Sequence, residues 1–133
     1  MSPEASFSAR IKGTRISEFI RMEYSFQNEL VSEVSVLFAH LGEDSWIRFF
    51  FDAGVFFWRE VIVPETPYIE GAHSYALHPI QLQCSGDDAI VQKVEFTGQE
   101  GTTKRSASLL LRAGCVLKLK NENDENSFSI TIA

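Results

Sequence analysis

The sequence predicts an all-β fold, or a β-dominated α+β fold, arranged as an antiparallel sandwich or barrel of about eight to nine strands. Apolar and polar residues alternate with period two along most of the 133 residues, and Gly, Asn and Asp bound the alternating runs. Seven of the thirteen residues from Trp46 to Trp58 are aromatic, which is typical of strands. The length fits one β-rich domain over residues 1–133.

Eight strands are predicted along the chain, because each alternating run ends at a turn signal. They lie at residues 5–12, 31–40, 45–52, 55–63, 89–97, 106–113, 115–120 and 127–132. The triplet Asp52-Ala53-Gly54 separates two aromatic runs and predicts a hairpin. The last four runs are joined by short connections, which predicts a C-terminal four-strand meander.

Two segments have weaker patterns. Residues 15–28 are predicted as a further strand, because Tyr24 and Phe26 alternate with polar residues, and a helix is the alternative. Residues 64–82 contain three prolines and are predicted to form a long irregular loop, since proline is disfavoured within a sheet. A long loop on a β scaffold is a common place for functional residues.

The alternation also predicts which side chains are buried. Cys84 and Cys115 each share a face with apolar neighbours, so both are expected to be buried free thiols rather than a disulfide pair. The predicted core contains Phe49 or Phe51, Phe57, Leu109, Leu111, Leu117 and Ile130.

The charge is concentrated in the middle of the chain. Of the formal net charge of −6, residues 18–70 contribute most, with ten acidic residues against three basic ones. An acidic chain is unsuited to nucleic acid but can attract a basic protein. We expect a cytoplasmic protein without a membrane partner, because the sequence shows neither an export signal nor a long apolar run.

The sequence contains no convincing catalytic or metal-binding motif. His73 and His78 are five residues apart, a spacing that suits neither a helical ligand pair nor a pair on one face of a strand. No Gly-x-Ser-x-Gly motif or phosphate-binding glycine loop occurs. No metal, cofactor or catalytic residue is therefore predicted, and an enzyme that uses the His73/His78 loop remains a distant alternative.

These observations predict a non-enzymatic protein-binding module, of which a small acidic inhibitor or immunity-type protein is one form. The partner is expected to be another protein, of basic charge, and a homo-oligomer is compatible with the sequence. A small β-barrel that binds an apolar ligand is the alternative. The residues expected to bind the partner are acidic or aromatic: Glu43, Asp44, Trp46, Trp58, Tyr68, Glu70 and Tyr75.

Overall fold

The computed structural model of the protein describes residues 1–42, 45–64 and 67–132. In these residues a short helix precedes ten strands, and a 3-10 turn, Gly86–Ala89, lies between the sixth and seventh strands. The elements are α1 Pro3–Ile11, β1 Ile16–Phe26, β2 Glu29–Leu41, β3 Trp46–Asp52, β4 Val55–Val61, β5 Tyr68–Glu70, β6 His73–Ile80, β7 Val91–Thr97, β8 Lys104–Leu111, β9 Cys115–Glu122 and β10 Glu125–Ile132.

The strands form two antiparallel sheets. The larger sheet has the order β4-β3-β2-β1-β6-β5, and the smaller has the order β10-β9-β8-β7. The mostly-β fold and the C-terminal four-strand meander are thus confirmed. The sheets do not close into a barrel, so the sandwich is the correct member of the predicted pair.

The predicted strand at residues 5–12 is wrong, because this segment is the helix α1. Ser2 caps the helix by accepting a hydrogen bond from the backbone N–H of Ala5 at 3.1 Å, and Pro3 occupies the first turn. Phe7 and Ile11 are four residues apart and are both buried on one side of the helix. None of the described helices is long and apolar enough to cross a membrane.

Residues 15–28 do form a strand, β1, and the helical alternative is wrong. The predicted long loop over residues 64–82 is also wrong, because most of its described part forms β5 and β6. Pro79 lies within β6 at a position paired with β1 alone, since β5 pairs with β6 only as far as Tyr75. A strand position with one open side tolerates proline, because no second ladder needs its missing N–H.

The main core lies between the sheets and beneath α1. Phe49 and Phe51 are both buried there with Leu109, Leu111 and Leu117, as predicted. Ile130 is half-buried and packs against the same cluster.

Phe57 is a failed core prediction, because 45% of it is exposed. Its neighbours Phe56 and Trp58 face the core instead. Since successive side chains of a strand point to opposite faces, Phe57 lies on the outer face.

The β3–β4 hairpin is fastened to the smaller sheet through its turn. Ala53 and Gly54 have φ of 49° and 76°, the positive values that a two-residue hairpin turn requires. The guanidinium of Arg105 in β8, which is buried, donates a hydrogen bond to the Gly54 carbonyl at 2.9 Å and a second to the Glu4 carboxylate of α1. This contact joins the helix, the larger sheet and the smaller sheet at one end of the sandwich.

Candidate protein-binding surface

The outer face of the larger sheet is covered by aromatic and aliphatic side chains. Trp46 and Phe50 of β3 point outward, and they alternate with Ile47 and Phe49, which point into the main core. We call this layer the aromatic face. Its buried centre is Met22, Val36 and Phe38, surrounded by the half-buried Ile20, Trp46, Phe50, Val61, Tyr75 and Leu77.

One half of the aromatic face lies on β2, β3 and β4. The Trp46 ring stacks on the His40 imidazole with centroids 4.5 Å apart, and Phe50 stacks on Phe57 at 5.4 Å. The guanidinium carbon of Arg48 lies 5.0 Å from the Phe50 ring centroid, a cation–π contact. Aromatic stacking and a cation–π contact thus connect these side chains to one another across the strands.

The other half lies on β5, β6 and β1 and forms a ladder of rings across the strands. Tyr68 stacks on Tyr75 with centroids 4.6 Å apart, and Tyr75 contacts Tyr24 at 5.0 Å. The Tyr24 hydroxyl lies 2.6 Å from His73 Nδ1, in a hydrogen bond. The ladder thus runs from Tyr24 in β1 to Tyr68 on the edge strand β5.

The aromatic face is buried in the middle and open at its margins. Phe38 at the centre is 0% exposed, whereas 45% of Phe57, 41% of Tyr68 and 39% of Phe26 are exposed. Side chains within the layer therefore cover the centre, but the described part of the chain adds no second layer over these marginal rings. The larger sheet thus carries apolar surface on both faces, and only its inner face packs against the smaller sheet.

The outer face of the smaller sheet differs in composition, and we call it the polar face. One row across its four strands reads Ser129, Lys118, Ser108 and Glu95. Lys93 lies 2.7 Å from the Glu95 carboxylate, and their hydrogen bond and charges raise the pKa of Lys93 and lower the pKa of Glu95. Apart from the half-buried Leu110 and Val116, the side chains grouped on this face are hydroxyls and charged groups, which are typical of a sheet face that remains in water.

A groove of about 820 Å³ opens beside the aromatic face, where Phe50 forms part of its wall. Among the described residues that line it, none is Lys or Arg. The Asp124 carboxylate is engaged by the backbone N–H of Ala53 at 2.8 Å. We call this feature the acidic groove, after its five carboxylates: Glu33, Asp52, Glu122, Asp124 and Glu125.

Three of the residues expected to bind a partner fall on the aromatic face. Trp46 lies in its β2–β4 half, and Tyr68 and Tyr75 form one end of its ring ladder. Of the residues expected from the sequence, Trp46 therefore lies in the half on β2, β3 and β4, and Tyr68 and Tyr75 lie in the half on β5, β6 and β1. The continuous cluster between them joins the two halves into one surface.

The other expected residues lie elsewhere. Trp58 points to the core side, where its ring packs 5.9 Å from Phe7 and its Nε1 donates to Ser6 Oγ at 3.0 Å. Glu70 is exposed at the end of β5, opposite His73. Glu43 and Asp44 lie outside the described residues. Trp46 and Trp58 are therefore not neighbours on one surface, although they flank the same hairpin.

Several residues of the surface were not anticipated, and strand alternation could have found most of them. Arg48 and Phe50 are two and four residues after Trp46, so they share its face. On the neighbouring strand, Phe57 pairs with Phe50 and Arg59 pairs with Arg48. The aromatic face thus contains two arginines beside the rings, which the segment's overall negative charge conceals.

His73 and His78 lie on one strand, not in a loop, and their odd spacing puts them on opposite faces. His73 belongs to the ring ladder, while His78 Nε2 lies 3.6 Å from the Glu23 carboxylate on the other side. That separation allows an ionic attraction but is too long for a hydrogen bond. Within residues 1–42, 45–64 and 67–132, no group of three or more His, Cys, Asp or Glu residues is arranged to hold a metal ion.

Aromatic side chains of the helix and of both sheets pack against one another in the interior of the sandwich. Phe7 of α1 contacts Phe49 and Phe56 of the larger sheet with ring centroids 5.1 and 5.0 Å apart. Phe56 in turn contacts Phe96 of the smaller sheet at 4.8 Å. The alternative of an apolar-ligand barrel assumed a closed barrel, and the open, packed sandwich does not provide one.

No protein-family model, curated protein or solved structure matches this chain.

Proposed function

We propose that the protein is a non-enzymatic protein-binding module whose partner docks on the aromatic face. The observation that carries this proposal is the contrast between the two outer faces of one chain. The polar face has the composition expected of a solvated sheet, whereas the aromatic face leaves large rings such as Phe57 and Tyr68 partly in water. Apolar surface of this kind, bordered by charge, is typical of protein interaction sites.

The composition of the β2–β4 half supports a protein partner. Trp, Tyr and Arg dominate the binding energy of protein interfaces, and this half combines Trp46 with Arg48 and Arg59. Phe50 and Phe57 stack on each other at the end of this row, next to the paired Arg48 and Arg59. Stacking of this kind restricts the side-chain rotamers in the free protein, so less conformational entropy would be lost when a partner binds.

The acidic groove supports a partner with basic surface. It adjoins Phe50, so a partner seated on the aromatic face would reach it without a change of orientation. Its carboxylates include Glu122 and Glu125, which face each other directly across β9 and β10. Like charges directly opposite each other cost stability, although Glu122 is also opposite Lys104 of β8. A basic partner would neutralise them and be attracted over long range.

An inhibitor or immunity-type protein is the specific form of this proposal that best fits the charge. Such a protein covers the basic or catalytic surface of its partner and needs no chemistry of its own. Apolar contacts at the centre and carboxylates at the margin match that task, because the centre supplies most of the affinity and the margin accelerates association.

The proposal is tested by affinity capture with two matched variants. Phe57→Ser removes an exposed ring from the aromatic face, and Val116→Ser makes a similar change on the polar face. A basic protein retained by the wild type and by Val116→Ser, and lost or strongly reduced with Phe57→Ser, is the expected result.

Circular dichroism and thermal unfolding should first establish that both variants remain folded. Equal retention by both variants would contradict the proposal. If only untagged copies of the same chain were recovered, the partner would be a second copy of this chain rather than a basic protein.

A further inference from the structure

The lysines of the chain are concentrated on the polar face of the smaller sheet. The sequence contains five lysines, and four of them line two adjoining grooves on this face: Lys93, Lys104, Lys118 and Lys120. The grooves have volumes of about 450 and 300 Å³. Because the formal net charge of the chain is −6, this clustering gives the grooves a charge opposite to that of the whole molecule.

Two of these lysines already have an acidic neighbour. Lys93 forms an ion pair with Glu95 at 2.7 Å, and Lys104 is directly opposite Glu122 in the pairing of β8 with β9. Among the described residues that line the two grooves, these two glutamates are the carboxylates. Four lysines therefore face two carboxylates, which leaves a local excess of positive charge.

Lys118 and Lys120 are the two lysines whose charge is not balanced by a cross-strand neighbour. Both lysines line both grooves. They are two residues apart on β9, so their side chains lie on the same face with Cα atoms about 7 Å apart. Their ammonium groups can therefore reach one anion from two sides. The residues directly opposite them on β8 and β10 are all serines: Ser108, Ser129, Ser106 and Ser127.

Hydroxyl groups add hydrogen-bond donors beside these lysines. The hydroxyls of Thr97 and Ser106 line the smaller groove and lie 2.5 Å apart. Since each hydroxyl can both donate and accept, one O–H of the pair remains to donate to an anion. The guanidinium of Arg105 is directed away from this face, toward Gly54 and Glu4. Lysines and hydroxyls, rather than a guanidinium fork, therefore supply the donors, a combination that suits phosphate oxygens.

The lining of the grooves favours a small ligand over a membrane or a nucleic acid. Binding to a membrane surface usually combines charge with apolar side chains that insert into it. Among the large apolar side chains that the described residues leave exposed, none lines these grooves. None of the described lining residues is aromatic either, so nucleobases have no ring on which to stack. The groove volumes are in the range of small-ligand sites.

We propose that Lys118 and Lys120 bind a small soluble molecule that carries two phosphate groups, one in each groove. Each groove contributes a further lysine, Lys93 in the larger and Lys104 in the smaller. The phosphates replace the missing counter-charge between β8, β9 and β10. This inference does not depend on the proposed function, since it concerns the outer face of the other sheet.

The test is calorimetric titration of the folded protein with inorganic pyrophosphate, with sulfate at the same ionic strength as the reference anion. The wild type should show saturable binding of one pyrophosphate, and sulfate should bind more weakly. Lys118→Gln and Lys120→Gln should each weaken pyrophosphate binding about tenfold, because each removes a charge-assisted hydrogen bond. Lys12→Gln makes the same charge change directly after α1 and should bind as the wild type does.

Absence of saturable binding to the wild type, or equal affinity for sulfate, would overturn the proposal. Equal weakening by Lys12→Gln would reduce the effect to the net charge of the chain and would also overturn it. Retention of the wild type on phosphatidic acid vesicles, without binding of pyrophosphate, would contradict a soluble ligand. Amide chemical shifts of the wild type locate the site without any variant: shifts centred on β9 are expected, and shifts centred elsewhere would contradict the assignment.

Discussion

The two outer faces of the sandwich come from strands with the same alternating pattern, yet their compositions differ. In β9, Leu117 and Leu119 enter the core while Lys118 and Lys120 point outward. In β3, Phe49 enters the core while Trp46 and Phe50 point outward. The fold requires apolar residues only on the inner faces, since the core between the sheets is already complete.

The larger sheet is therefore apolar on both of its faces, whereas the smaller sheet is apolar mainly on its inner face. A sheet with one covered face is expected to be polar on the other, as the smaller sheet is. Part of the aromatic face is self-covered, since Phe38 at its centre is fully buried. The exposed rings at its margin, such as Phe57 and Tyr68, are not part of the main core, and they are the rings that we propose to contact a partner.

The largest expected effect is a loss of stability, and it should distinguish residues on the inner face of the larger sheet from residues on its outer face. Phe49→Ala removes a buried ring in contact with Phe7 and should lower the free energy of unfolding by about 3–5 kcal/mol. Phe57→Ala, in the neighbouring strand, should cost far less because its ring is 45% exposed. Urea unfolding measures the free energy of unfolding of both variants. Equal losses of stability would mean that the outer ring supports the fold as much as the inner one.

A smaller change in the free energy of unfolding, in the opposite direction, is expected from a substitution in the acidic groove. Glu125→Lys turns the like-charged pair with Glu122 into an attractive one, so stability should rise by about 0.2–1 kcal/mol. The same change should slow the association of a basic partner, most clearly at low salt. Glu100→Lys, which makes the same charge change in the β7–β8 loop, is the control. A loss of stability in Glu125→Lys, or equal slowing of partner association by Glu125→Lys and Glu100→Lys, would contradict a role of the acidic groove in binding.

Much of the fold could be predicted because alternation is a direct consequence of strand geometry. The helix α1 was missed because Phe7 and Ile11 fit a strand with Ala9 between them as well as a helical turn. The signals that distinguish the two were present, since Ser2 and Pro3 form a helix start. The sequence does not predict β5 and β6, because proline is a sheet-breaking signal and the open side of Pro79 depends on which strands become neighbours.

The candidate surface could be predicted only in part. Alternation groups Trp46 with Phe50 and separates both from Phe49, but it does not tell which group faces the core. That choice depends on where the smaller sheet packs, a contact between residues far apart in sequence. Trp58 was therefore expected on the surface and Phe57 in the core, and the structure places them the other way round.

We propose that the partner contacts the aromatic face and not the polar face. Side-chain footprinting by hydroxyl radicals is the most direct test of this proposal. The protein would be labelled alone and in complex with the captured partner, and the modification of each aromatic ring compared. The account predicts strong protection of Phe57 and Tyr68, with Val116 and Leu110 of the polar face unchanged. Protection of the polar face, with Phe57 and Tyr68 labelled as in the free protein, would contradict it.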